Sequence, residues 1–355
     1  MTFVTRRSLL LGTAGALLAS GPAAVAATGV PAGSPASGQG MPGRGGRPAN
    51  IVVLTPRKDV GDVLGFRELL ESMGMQAKID VREVPQATAV AAMLPEIRAA
   101  KPDLVLTVFT PLTLAAVGRY DDPDPSKFLT GVPVVFTSVT DPVASRIIRS
   151  LEQPGRAVTG TRHIAPVAVQ LKTILAYRRW RKIAAVYNPA EENMIVAVRD
   201  LREEAGRQGV EVIDGAIPRD GSGKPNANAI PDVIREVAKA GAELVYIGPD
   251  TLVASNNSQA VADAALANNV ATFCSTELPI RHSGLLMGLV SPAINVGRFA
   301  GVKAYDILTG SRPAAAVPVE TLNRFSLLLR IDTAKRLDLY PPMRLLNIAE
   351  IIKDA

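Results

Sequence analysis

One cysteine, two histidines and one tryptophan in 355 residues leave little room for several kinds of chemistry. The single Cys274 rules out an intramolecular disulfide and any multi-cysteine metal site. His163 and His282 are too few for a histidine-rich metal centre, so neither a metal nor a cofactor is expected. Aromatic residues make up 4% of the chain, which argues against the broad stacking surface of a single-strand nucleic-acid binder. Acidic residues are absent from the first 49 positions, which hold Arg6, Arg7, Arg44 and Arg47. Subtracting those four from the net charge of +6 leaves +2, so the basic balance implies neither nucleic acid nor an anionic membrane as partner. The one dense basic run, from Tyr177 to Lys182, precedes a strand-like segment and reads as a solvated helix end. Past the N-terminal segment no run of about 18 apolar residues exists, so no membrane span is expected.

What is present is an ordinary globular composition, 47% hydrophobic and 20% charged, long enough for two lobes with separate cores. Thr5-Arg6-Arg7-Ser8-Leu9-Leu10 matches a twin-arginine export signal. An apolar segment to Ala19 follows it, then the small residues Ala24 to Ala27 where a signal peptidase would cut. Residues 1–27 therefore read as a signal peptide and 28–49, rich in Gly, Pro, Ala and Ser, as a flexible linker. No cysteine stands near the cleavage region, so the expected destination is the periplasm without a lipid anchor.

From residue 50 one pattern is used twice. Strand-like runs at 50–55, 76–81, 104–109 and 132–137 alternate with helical spacing at 63–73, 87–100 and from Thr110. Pro95 is expected to kink or divide the second of these helices. The loop Ser138–Pro142 leads into helical spacing over 143–151, stopped by Gln153-Pro154-Gly155, and 157–160 is an extended crossover. The second half repeats the order, with strands at 182–187, 210–213, 244–247 and 270–274. Helices are expected at 194–208, 230–239 and 258–268. A strand at 285–290, a helix at 293–310, a strand at 325–331 and a short helix at 333–337 close the chain. The alternation indicates right-handed βαβ units, hence two doubly wound, mostly parallel α/β lobes of Rossmann-like build. Ligands in such sheets bind beyond the strand carboxyl ends. Four loops fall there: Thr110-Pro111, Thr137–Pro142, Asn188–Asn193 and Gly248–Thr251. Each opens toward a helix N-terminus able to hold an anion.

The segment VVFTSVTDPVASRIIRSLEQPGRAVTG, Val134 to Gly160, resembles the signature of ABC-transporter substrate-binding proteins related to the tryptophan/tyrosine-type binding proteins. The resemblance runs from about Ile51 to the C-terminus. It implies a type I periplasmic binding protein fold with a multi-crossover hinge. Its N-terminal lobe would be 50–160 plus 291–317, and its C-terminal lobe 161–290 plus 318–355. It also implies a small-molecule solute held between the lobes, an ABC permease in the inner membrane as partner, and no nucleic acid.

On that reading the candidate ligand-binding residues are Arg57, Thr110, Pro111, Thr140, Asp141, Asn188, Glu192, Asn193, Asp250 and Thr251. Asp141 beside Pro142 serves equally as a helix cap or as a ligand contact. In amino-acid-binding relatives the loop matching Gly248-Pro249-Asp250-Thr251 meets the ligand's cationic group, which implies that role for Asp250. Asn188-Pro189-Ala190-Glu191-Glu192-Asn193 is similar to the family's Y-N-P-S-E-x-N/S loop. On that resemblance Asn188 and Asn193 would donate hydrogen bonds to a bound solute, and Glu191 or Glu192 would cap the following helix. A turn with an N-capped helix and no ligand accounts for each residue equally well. Relatives often carry Tyr-Gly where this chain has Gly288-Leu289, which speaks against simple carry-over of an aromatic amino acid as ligand. The basic loop Pro56-Arg57-Lys58-Asp59 favours an acidic solute.

Two other readings compete with solute import. One is a periplasmic sensor that presents a bound solute to a membrane receptor. The other, a periplasmic α/β enzyme, has thin support. Asp220-Gly221-Ser222-Gly223-Lys224-Pro225 lacks the first glycine of a phosphate loop and has Pro225 where Ser or Thr is needed. Cys274 with His282 suggests a thiol nucleophile, but its place in a strand is that of a small buried hydrophobe.

Overall fold

The computed structural model describes residues 47–122 and 124–353, so the expected signal peptide and nearly all of the linker lie outside the described residues. In chain order the first sheet takes β1 (Ala49–Thr55), β2 (Ala77–Glu83), β3 (Leu104–Val108), β4 (Val134–Thr137) and β5 (Val158–Arg162). These are interleaved with α1 (Gly61–Ser72), α2 (Val90–Ala100) and α3 (Thr110–Val117). The second unit runs α4 (Val167–Tyr177), β6 (Lys182–Tyr187), α5 (Glu192–Arg207), β7 (Glu211–Ala216), α6 (Ile230–Lys239) and β8 (Leu244–Ile247). It continues with α7 (Ser258–Ala267), β9 (Ala271–Cys274), α8 (Glu277–His282) and β10 (Met287–Val290). The chain then gives α9 (Ala293–Leu308), β11 (Glu320–Thr321), β12 (Ser326–Arg330), α10 (Ile331–Arg336), α11 (Met343–Leu346) and β13 (Glu350–Ile352).

Both sheets share one order. The first reads β11-β5-β4-β3-β1-β2 and the second β13-β12-β10-β9-β8-β6-β7, so each places its strands 2-1-3-4-5 with extra strands past the fifth. Within each five the pairing is parallel, and only β12 meets its neighbour β10 in antiparallel register. The central strands are apolar throughout because both faces are covered. In the first lobe, Val53, Leu106 and Val135 face α1 and α9, while Val52, Val105 and Phe136 face α2 and α3. In the second, Ile183, Tyr246 and Phe273 pack with α4 and α5, and Val186 and Val245 with α6 and α7. This is the two-lobed parallel α/β architecture the alternation predicts.

Some local expectations fail. Residues 143–151 do not form a helix. A single turn closes there, with Ser145 N–H donating to the Asp141 carbonyl, and Arg146 then takes a left-handed φ of 56° that ends it. Pro95 does not divide its helix: α2 is continuous through it, and the break falls earlier, where a 3₁₀ turn at Ala87–Ala89 leads in. Glu320 and Thr321 pair with β5 at the edge of the first sheet. Helix α4 ends at Tyr177 directly before the basic run, within which Trp180 is buried.

Three connections pass between the sheets: residues 163–166 from β5 to α4, Ser291-Pro292 from β10 to α9, and 322–325 from β11 to β12. Strands β5, β10 and β11 run with their sheets and leave at the carboxyl edge. Antiparallel β12 enters the second sheet at that same edge. A four-residue connection spans at most about 14 Å. The carboxyl edges of the two sheets are therefore tied together, and their loops are turned toward one another.

The second connection is fixed by close packing. Helix α9 crosses α1 where both are glycine-lined. A methyl on Gly65 would lie 1.8 Å from the Ile294 carbonyl oxygen, and one on Gly297 would lie 2.0 Å from the Asp62 carbonyl oxygen. Only glycine lets the backbones approach this far. Gly297→Val is expected to cost about 3 kcal/mol in denaturant unfolding, or to prevent folding. Gly206→Ala, on an open face of α5, should instead be neutral or stabilise by up to about 1 kcal/mol.

Candidate functional site

A switch point, where strand order reverses, lies between β1 and β3 in the first sheet and between β6 and β8 in the second. Crevices outside such points are the usual ligand sites of doubly wound sheets. The loops at the second point form one hydrogen-bonded unit. Asp250 is buried; one carboxylate oxygen accepts the Asn188 N–H (2.6 Å) and the other caps the following turn through the Val253 N–H (2.7 Å). Asn188 Oδ1 accepts from Ala190 N–H, and its Nδ2 donates to Glu191. Glu191 does not cap its own helix through its side chain. It reaches across to accept from the Thr251 N–H and hydroxyl. Asn193 Nδ2 donates to the Pro249 carbonyl. Asn188, Asn193, Asp250 and Thr251 are thus brought together, while Glu192 stands exposed on the first turn of α5.

In the first lobe Thr110 and the Thr137–Pro142 loop meet, with Thr140 N–H 3.4 Å from Thr110 Oγ1 and Arg162 Nε donating to the Thr140 carbonyl. Asp141 is a cap: its Oδ1 accepts from the Val143 and Ala144 N–H groups. Pro111 sits exposed in the first turn of α3. Arg57 is set apart, exposed and 3.8 Å from Asp59.

Several residues at these edges carry no obvious label in the sequence. Phe109, just past β3, holds φ 68° and ψ 157°, a backbone region that side-chain-bearing residues adopt at a cost of about 1–3 kcal/mol. Val108 packs on the α1/α9 face, so strand alternation would send the next side chain to the opposite face. The reversal keeps the half-buried Phe109 ring on the α1/α9 side instead. Ser138, just past β4, repeats the device with φ 55°, so that Thr137 and Ser138 both point at Asp62. Asp62 is buried in the first turn of α1, and its Oδ1 accepts from both hydroxyls (2.7 and 2.5 Å). Burial pushes its carboxyl up to about 6, against the pull of those two bonds. Asp250 is also pushed up to about 6 by burial. His163, on the first crossover, is driven down to about 4 by burial and by Arg162 beside it, and is neutral at pH 7. The signal for Asp62 was an acid among Val60, Val63 and Phe66 at helical spacing; nothing local marks Phe109 or Ser138.

The two candidate catalytic stretches take ordinary structural places. Cys274 is buried in β9 and its thiol is pushed up by burial, the reverse of an activated nucleophile. Residues 219–225 close as an exposed turn, with Asp220 N–H donating to the Lys224 carbonyl. Among the described residues no group of three or more His, Cys, Asp or Glu could hold a metal, and no helix is long and apolar enough to cross a membrane.

Two measurements check this geometry. Phe109→Gly should be more stable than Phe109→Ala by about 1 kcal/mol, the reverse of the usual order, because only glycine relieves the backbone. Asp62 is held with a raised pKa, so its ionisation opposes folding as pH climbs from about 4 to about 6. The stability of solute-free Asp62→Asn relative to the unaltered chain should therefore be greater at pH 7.5 than at pH 4.5 in thermal melts.

Known proteins fall in with this geometry. A family model described as "ABC transporter substrate binding protein" matches residues 59–353. A tyrosine-binding protein of Clostridioides difficile (strain R20291) is 27% identical over 284 residues, 78% of this chain and 76% of that one. Among solved structures, a Streptococcus pneumonia ABC domain in complex with L-Trp aligns with TM-score 0.69 and 22% identity. A ligand-free, open substrate-binding protein with adhesive properties from Clostridium difficile aligns with TM-score 0.70 and 23% identity. Each covers 86% of this chain and 100% of its own. At a more distant level an arabinose-binding protein from Geobacillus stearothermophilus aligns with TM-score 0.55 and 15% identity, a likeness of fold. These are solute-binding proteins and not enzymes, and the family works outside the cytoplasm with a small-molecule ligand and a membrane permease. With its model matched over most of the length, this chain belongs to the ABC transporter substrate-binding protein family.

Proposed function

We propose that the chain is exported by its twin-arginine signal and serves as the periplasmic solute-binding component of an ABC import system. Its solute is an amino acid or small organic acid, aromatic ones included, taken up between the two carboxyl edges and delivered to an inner-membrane permease. The observation that carries this reading is the set of three short connections that turn the two switch points toward each other. Affinity would come from burying the solute between the lobes, with a few polar groups setting orientation. The first-lobe wall is Thr110, Pro111, Thr140 and the reversed Phe109. The second-lobe wall is Asn188, Asn193 and Thr251, with Glu192 and Arg57 at the rim. Asp250 and Asp141 act mainly by shaping their loops, since their oxygens already hold backbone N–H groups.

The relatives narrow the first probes to L-tyrosine and L-tryptophan, the solutes of a curated relative and of a structural neighbour. A ligand that prefers the native state raises the melting temperature by mass action. The purified mature chain should melt higher with one of these amino acids, and calorimetry should give one site per chain. Asn188→Ala should weaken that binding by about tenfold without lowering the melting temperature of the solute-free protein by more than about 3 °C. A chain indifferent to both amino acids and to a panel of small organic acids would overturn the assignment.

A further inference from the structure

The amino edge of the first sheet, remote from the loops that face the second lobe, carries a cavity of its own. Helix α3 follows the carboxyl end of β3 and returns along the sheet, so its last residue, Val117, lies at that edge with the starts of β4 and β5. A hollow of about 280 Å³ opens there, and Arg119, Arg149 and Arg156 stand on its wall with Tyr120, Asp122 and Phe128. The wall is held in place by specific contacts. Half-buried Arg156 donates to the carbonyls of Val117 (2.5 Å), Gly118 (3.2 Å) and Ile147 (3.4 Å). Gly118 takes a left-handed φ of 63°, and a methyl on it would meet the Phe128 ring at 2.5 Å, so the ring closes directly over the backbone. Arg98 secures the same loop by donating to the Ser126 and Phe128 carbonyls.

Charge on this wall is unbalanced. Five acids lie between residues 118 and 156, and each already has a partner. Asp121 pairs with Arg146 (2.9 Å) and Asp124 with Lys127 (3.3 Å). Asp122 accepts the Asp124 N–H, Asp141 caps its own turn, and Glu152 accepts the Ser150 hydroxyl. Among the described residues Arg119, Arg149 and Arg156 make no ion pair. Arg149 is held by an aromatic face instead, its guanidinium carbon 4.6 Å from the centre of the Tyr120 ring. Stacking occupies the flat of a guanidinium and leaves the N–H groups around its edge. Burial pulls the pKa of Arg156 below its ordinary value, with no carboxylate to raise it. Three guanidinium charges against the one Asp122 carboxylate leave the wall at +2.

A phosphate group answers that wall on three counts. It carries close to two negative charges at neutral pH, its oxygens suit the fork of a guanidinium, and it is small enough for the hollow. We propose that this hollow is a binding site for a phosphate group, held by Arg119, Arg149 and Arg156 and separate from the solute site at the carboxyl edges. The phosphate comes either from a soluble ion or ester, or from a lipid headgroup.

The test is calorimetry of the purified mature chain with sodium phosphate, in a chloride background of equal ionic strength, beside sedimentation with vesicles containing phosphatidic acid. Heat from phosphate without retention on the vesicles supports the site with a soluble ligand. Retention that free phosphate competes away supports it with a headgroup. In both cases Arg119→Gln and Arg149→Gln, each at an exposed side chain, should weaken binding about tenfold. Asp122→Asn keeps the oxygen that accepts the Asp124 N–H and removes the opposing charge. It should tighten binding about threefold, a gain that no folding failure can imitate. An unaltered chain inert to phosphate and to the vesicles would overturn the site. So would binding that the folded arginine variants leave intact. Uptake of a solute between the lobes would stand after either failure, since it uses the opposite edge of the sheet.

Discussion

Everything in this molecule that bears on function follows from where three short pieces of chain are allowed to run. Each joins the carboxyl edge of one sheet to the carboxyl edge of the other, through two to four residues. Such lengths cannot reach around a lobe, so the loops beyond β1, β3 and β4 are held opposite those beyond β6, β8 and β9. One connection alone would let the lobes swivel. Three restrain them to opening and closing about a common line, the motion that a binding cleft uses. The glycine-lined crossing of α1 and α9 keeps the middle connection honest: it clamps the chain returning from the second lobe onto the first before β11 begins.

Around that line the two lobes treat their polar groups differently. At the second switch point hydrogen bonding is closed on itself, with Asp250, Asn188, Glu191 and Thr251 answering one another's backbone and side-chain groups. At the first, strain is retained and a bond is left open. Phe109 and Ser138 keep positive φ angles, and Asp62 keeps an oxygen with nothing to accept. Retained strain and unpaired buried atoms are expensive, and in folded proteins they gather where a partner arrives later.

Much of the architecture was legible because continuous apolar runs such as Ile51–Leu54 and Leu244–Ile247 have one stable home, the centre of a covered parallel sheet. The duplicated order could be read for the same reason. The helix expected at 143–151 failed because nothing in the spacing of Val143, Ile147 and Ile148 announces that Arg146 will adopt a left-handed backbone and stop after one turn. The site was half legible. Strand-end loops can be found by counting, and the structure does join Asn188, Asn193, Asp250 and Thr251 as one unit. Whether a carboxylate in such a loop faces outward or serves its own backbone depends on a partner 62 residues away, as with Asp250 and Asn188. The reversals at Phe109 and Ser138 were invisible, since no residue type there betrays a positive φ.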